Sequence, residues 1–191
     1  MTKVADWPAD GEMTIEVAPR MVLLLNGLGL ASVTLATLLP VGAVLYWLTV
    51  DATEVRGFVG LAPDVLPDIG MGQRIGAALV MLVATLPMAW GLTRLRTCLA
   101  GFAAGRPFAA SGIRGLRDFA LGGTLAAVTQ LISHTALGLV LTWTAAPGHR
   151  QLVVRIDSEF LLLAMFAGIV AALAWAMEKA AAIAQENSQF I

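Results

Sequence analysis

The sequence predicts an all-α polytopic membrane protein, a bundle of four transmembrane helices with both termini in the cytosol. Three observations carry that expectation. The 191 residues are 58% hydrophobic and only 13% charged, with a mean hydropathy of +0.80, whereas soluble domains devote about a quarter of their residues to charge. Four apolar runs approach or exceed the ~20 residues that cross a hydrocarbon core. Finally, five arginines crowd into the stretch from Arg94 to Asp118, between the second and third runs. The net charge of -1 gives no support to direct nucleic-acid binding.

Residues 1–20 form an acidic segment carrying Asp6, Asp10, Glu12 and Glu16. It lacks the basic start and short apolar core of a secretory signal, so the run that follows is expected to be retained. The first span covers about 21–48, with Pro40 as a candidate kink and Tyr46 and Trp47 near its far end, at headgroup level. Asn26 and Thr34 are polar insertions suited to interhelical hydrogen bonds. From Asp51 to Arg74, Pro63, Pro67 and four glycines mark an exposed, irregular loop.

The second span covers about 75–93, interrupted only by Pro87. Helix is predicted to continue past Arg94 and Arg96 and to stop at Gly105 as a C-terminal cap, with Pro107 beyond it. Ser111 is the expected N-cap of the next helix. The hinge then consists of two helical extensions joined by a tight turn at Gly105, Arg106, Pro107 and Phe108. The third span, about 119–143, holds Gln130, Ser133 and His134, the most polar cluster inside any apolar run. Residues 145–158 form a second exposed loop, in which QLVVRID is a candidate strand for pairing with residues 49–55. The fourth span covers about 160–177. A cytosolic helix is expected over 179–191, rich in Ala, Glu, Lys and Gln, with Ala180, Ile183, Ala184 and Phe190 able to share one face.

Orientation follows from retention of Lys and Arg on the cytosolic side. With both termini inside, eight basic residues face the cytosol (Lys3, Arg20, Arg94, Arg96, Arg106, Arg114, Arg117, Lys179) against Arg56, Arg74, Arg150 and Arg155 outside. Topology accounts for most of the arginine cluster, and a lipid-headgroup site or a docking surface for an acidic partner are the alternatives. Small-residue pairs such as Gly101 with Gly105 and Gly168 with Ala172 permit close helix approach within one bundle.

Nothing has the spacing of a zinc site, a phosphate loop or a nucleophile elbow. Two histidines and one cysteine are too few for a metal centre, and no metal, cofactor or catalytic residue is expected. Cys98 reads as a small residue near a helix end, reduced if the hinge is cytosolic. His134 reads as a neutral imidazole bonded across helices, because the apolar runs offer no carboxylate to relay a proton.

Two segments, AGFAAGRPFAASGIRGLRDFALG and WAMEKAAAIAQENSQFI, resemble the bacterial four-span membrane family called domain of unknown function 2975. The likeness rests on Gly105, Arg106, Pro107 and Phe108, on Leu116 and Arg117, and on the ending with Glu186, Asn187, Phe190 and Ile191. It spans about Leu24 to Ile191. It implies a multi-pass protein of the bacterial inner membrane, with no catalytic residues to carry over and, by analogy, a small cytosolic helix-turn-helix regulator as partner.

The leading functional expectation is a non-enzymatic regulatory or interaction protein. It presents Arg94, Arg96, Arg106, Arg114, Arg117 and a tail containing Glu186, Asn187 and Phe190 to the bilayer surface and a cytosolic partner. The rival is a small transporter or channel subunit, requiring oligomerisation (a homo-oligomer, for instance) or an unusual pore, with a polar path along Gln130, Ser133 and His134 opposite Asn26. A lipid-modifying enzyme is disfavoured by the lack of an acid, base and nucleophile constellation.

Overall fold

The computed structural model describes residues 15–59, 68–143 and 158–188. They form five helices: α1 (Pro19–Thr49), the short α2 (Ala52–Val59), α3 (Met71–Ala103), α4 (Ala110–Leu141) and α5 (Ser158–Ser188). The four long helices are each long and apolar enough to cross a membrane, and no strand occurs among the described residues. The chain is therefore a multi-pass, all-helical membrane protein.

In an apolar medium every backbone group must be satisfied within the helices. The hydroxyls of the first span follow suit: Ser32 donates to the Leu28 carbonyl at 2.8 Å, Thr34 to Leu30 at 3.0 Å and Thr49 to Leu45 at 2.9 Å. Thr34 thus bonds its own helix rather than a neighbour. Thr129 is a hydroxyl that does reach across, standing 3.2 Å from the Ala84 carbonyl on α3, one turn before Pro87. Both α1 and α3 run unbroken through their prolines.

Helix α1 packs on α3, α3 on α4 and α4 on α5, while α1 makes no close backbone contact with α4 or α5. The closest of these contacts joins α3 to α4 and depends on glycine. A methyl group at Gly122 would stand 2.7 Å from the Pro87 carbonyl oxygen and 2.8 Å from the Gly91 Cα. One at Gly115 would stand 2.6 Å from the Arg94 carbonyl oxygen. Backbone therefore meets backbone along two turns of each helix. Contacts on α5 are looser: Ala167, Val170 and Ala174 are buried, whereas Leu161, Leu162, Phe166 and Trp175 are exposed in the isolated chain and available to lipid.

The loop between the first two spans departs from expectation. Residues 52–59 are helical, because Val55, fully buried, anchors α2 in a cluster with Trp47, Ile69, Ala77 and Leu137. Helix α3 also begins four residues before the apolar run, at Met71. Those added residues lock the far end of the molecule. Gln73 donates to the Leu141 carbonyl at 2.6 Å and accepts from the Gly70 amide at 2.8 Å. Arg74 donates to the carbonyls of Leu48 and Val50 at 3.1 and 2.8 Å, placing a cation on the orphan carbonyls where the α1 dipole is negative. The 49–55 half of the expected strand pair is therefore helix end and α2, and its partner at 151–157 lies outside the described residues.

Candidate functional site: the arginine hinge

Helix α3 stops where the sequence indicates. Gly105 adopts φ +72°, the Arg106 amide donates to the Gly101 carbonyl at 2.9 Å, and the Gly105 amide donates to Phe102 at 3.0 Å. These are the paired bonds of a Schellman motif, which needs a residue without Cβ at the left-handed position. The next helix starts differently from expectation. Ala109, not Ser111, occupies the N-cap without a side-chain bond, and Ser111 is an exposed residue inside α4. The Arg106 carbonyl accepts from the Ala109 amide at 3.3 Å, so the tight turn itself sets the start of the helix.

All five hinge arginines are exposed. Arg94 lies over the Trp90 ring, 5.7 Å from its centroid, with its Nε 3.8 Å from Asp118. At 53% and 28% side-chain exposure, that ion pair is worth at most about 1 kcal/mol. The stem of Arg96 passes over Gly29 on α1, where a methyl would meet its Cγ at 3.7 Å. Its head group stays exposed, as amphipathic side chains do at an interface. Arg114 and Arg117 stand three residues apart on α4, on neighbouring turns. Cys98 sits behind them, 2% exposed, with its Cα 3.8 Å from the position of a Gly112 methyl. Burial withholds the thiol from chemistry.

A further chain segment meets this turn. The Ile15 amide donates to the Gly105 carbonyl at 2.8 Å, and the missing Cβ of Gly105 makes room for the Ile15 backbone. Reasoning from sequence missed this contact, since a backbone bond to a loop leaves no periodic signature.

Helix α5 continues as a helix to Ser188. A Gly123 methyl would stand 3.3 Å from the Ala167 Cβ, a pairing that sets residue 180 of the antiparallel α5 level with the first residue of α4. Residues 181–188 then project about 12 Å past that level, at ~1.5 Å per residue. Glu186 is exposed on this extension. Asn187 belongs to the helix, and Phe190 lies outside the described residues.

Asn26 is not brought to the polar residues of α4, Gln130, Ser133 and His134. Ser133 is buried, Gln130 and His134 are half-buried, and Asn26 is exposed on α1. Gly29 packs beside Arg96 and Thr129 beside Ala84. Asn26 therefore lies near the level of residue 99 of α3 and Gln130 near residue 83, about 24 Å apart along the helix. An apolar groove of about 450 Å³ opens between α1 and α3, lined by Leu35, Leu39, Tyr46, Trp47 and Met81 among others. Thr85, which also lines it, donates its hydroxyl back to the Met81 carbonyl of its own helix at 3.0 Å. Among the described residues no group of three or more His, Cys, Asp or Glu could hold a metal ion.

Compared with family models, with curated proteins and with solved structures, the chain matches none.

Proposed function

We propose that this chain is a non-enzymatic regulatory or interaction protein of a bacterial inner membrane, with both termini and the arginine hinge in the cytosol. One observation carries the reading: Arg96, Arg106, Arg114 and Arg117 are exposed at the end of the bundle past which α5 extends. The bilayer would hold the body, and anionic headgroups would hold the hinge at the interface, at about 1 kcal/mol per basic residue. The projecting helix and the arginines would then offer a surface to an acidic cytosolic protein. A helix-turn-helix regulator is the partner suggested by kinship to domain of unknown function 2975, which forms part of this proposal.

The pore reading draws no support from the geometry, since Asn26 stands about 24 Å from the level of Gln130 and α1 does not touch α4 closely. Affinity purification from native membranes tests the regulatory reading. A cytosolic protein should co-purify with the parent and be lost from an Arg106→Ala, Arg114→Ala, Arg117→Ala variant that retains the parent's fold. An unchanged partner profile in that variant removes the reading.

A further inference from the structure

We infer that Glu159 and His134 form a proton-binding pair inside the bilayer, at the start of α5. In the sequence Glu159 stands just ahead of the fourth span, where it counts as a loop residue and leaves the apolar runs without a carboxylate. The register of the helices moves it inward. A methyl at Gly123 would touch the Ala167 Cβ at 3.3 Å, and Ala120 and Val170 lie in one buried cluster. As α4 steps back three residues α5 steps forward three, so the two are antiparallel and Glu159 is level with residue 131. Thr129 reaches the Ala84 carbonyl, which sets residue 131 level with residue 82 of α3. That level lies eight residues from Arg74 and twelve from Arg94, about 12 and 18 Å along the helix. The ~30 Å between those two arginines matches the thickness of a hydrocarbon core, so Glu159 stands well inside it.

Helix α4 presents His134 at this depth. Gln130 and His134 stand seven and eleven residues beyond Gly123, two and three turns along the stripe that carries Gly123 against α5. Along the axis they lie about 1.5 and 4.5 Å from the level of Glu159, and both are half-buried. Glu159, eight residues before Ala167, falls at the edge of the α5 face turned to α4, in the first turn of its helix. Among the described residues α5 packs on α4 alone. The charges of α4, Arg114, Arg117 and Asp118, are at its hinge end, so His134 is the ionisable group of that helix near Glu159. Residues 21–50 and 75–93, in the first two spans, carry no Asp, Glu, His, Lys or Arg. A carboxylate at this depth must be paired or carry a proton, and imidazole is the side chain that exchanges a proton near neutral pH. Together the two groups bind one proton, held on the carboxyl or passed to the imidazole, with Gln130 as a hydrogen-bonding neighbour. Loading that proton sets how the helix leading to Ser188 rests on α4. The pair stands whether or not the hinge docks a partner.

The test uses the full chain in phosphatidylcholine nanodiscs, with Asp157→Asn so that adducts at the start of α5 belong to Glu159. One sample receives dicyclohexylcarbodiimide, an apolar reagent that adds to protonated carboxyls from the lipid phase. Another receives a water-soluble carbodiimide with glycine ethyl ester, and mass spectrometry maps both sets of adducts. The expected result is at least tenfold more modification of Glu159 by the apolar reagent, with the reverse order at Glu54, which is exposed on α2. Adding His134→Gln removes the second proton acceptor, and the apolar adduct at pH 8 should then rise at least threefold. Preference of Glu159 for the water-soluble reagent, or no adduct from either while Glu54 is labelled, overturns the site. A yield that His134→Gln leaves unchanged at every pH overturns the pairing.

Discussion

Replacing Gly122 by alanine tests the packing that positions the hinge. The added methyl would stand 2.7 Å from the Pro87 carbonyl oxygen, 2.8 Å from the Gly91 Cα and 3.1 Å from the Gly91 nitrogen. All three are backbone atoms in helices, so relief requires α3 and α4 to separate by roughly 0.5–1 Å, which forfeits a quarter to a half of each dispersion contact along the interface. Overpacking of this kind costs about 1–3 kcal/mol. Substituting glycine by alanine in a helix also gains up to ~1 kcal/mol of propensity, which calls for a control. Gly168→Ala on α5 supplies one, because a methyl there meets nothing within 4 Å. Unfolding in mixed micelles, titrated with a denaturing detergent, should place Gly122→Ala below Gly168→Ala by about 1–3 kcal/mol. Equal stabilities would refute the claim that α3 and α4 meet through glycine.

At the opposite end, Gln73→Leu should cost about 2–3 kcal/mol in the same assay, because it strands the Gly70 amide and the Leu141 carbonyl. Arg74→Ala removes the cation capping α1 at Leu48 and Val50; a loss of about 1 kcal/mol is expected, shrinking in high salt. Cys98, only 2% exposed, should resist a maleimide in nanodiscs and react on unfolding; prompt labelling of the folded chain would contradict its placement behind the hinge. Gly105→Ala strains the left-handed turn and should cost about 1–3 kcal/mol in the same unfolding assay.

How far these features were legible before the structure depends on the range of the forces that set them. The long helices follow from hydropathy, which is local and summed over many residues. The end of α3 was legible at Gly105 because one residue type, without Cβ, is demanded there. Ser111 failed as a cap because the turn at Arg106 already accepts the Ala109 amide, a choice made by chain geometry rather than by side-chain preference. Helix α2 was missed because eight residues are too few to show a period, and Val55 is buried only through contacts distant in sequence.

Glycine was read with mixed success. Gly101 and Gly168 drew attention for their spacing, yet the tight approaches fall at Gly115 and Gly122, seven residues apart. That heptad spacing was present in the sequence, but glycine abundance, 19 in 191 residues, hid it. The hinge arginines were all placed on one end, as their charge pattern suggested, whereas Asn26 and Gln130 were set far apart by a register that no single run of sequence encodes. The Ile15 contact with Gly105 belongs to the same class of long-range facts.

The most direct test of the docking surface is photocrosslinking in native membranes from two positions, Arg106→benzoylphenylalanine and Gln189→benzoylphenylalanine. The account predicts one cytosolic protein captured from both positions, with capture from Gln189 lost when Arg114→Ala and Arg117→Ala are added. Self-adducts and lipid alone, or capture from Gln189 that survives loss of the arginines, would contradict it.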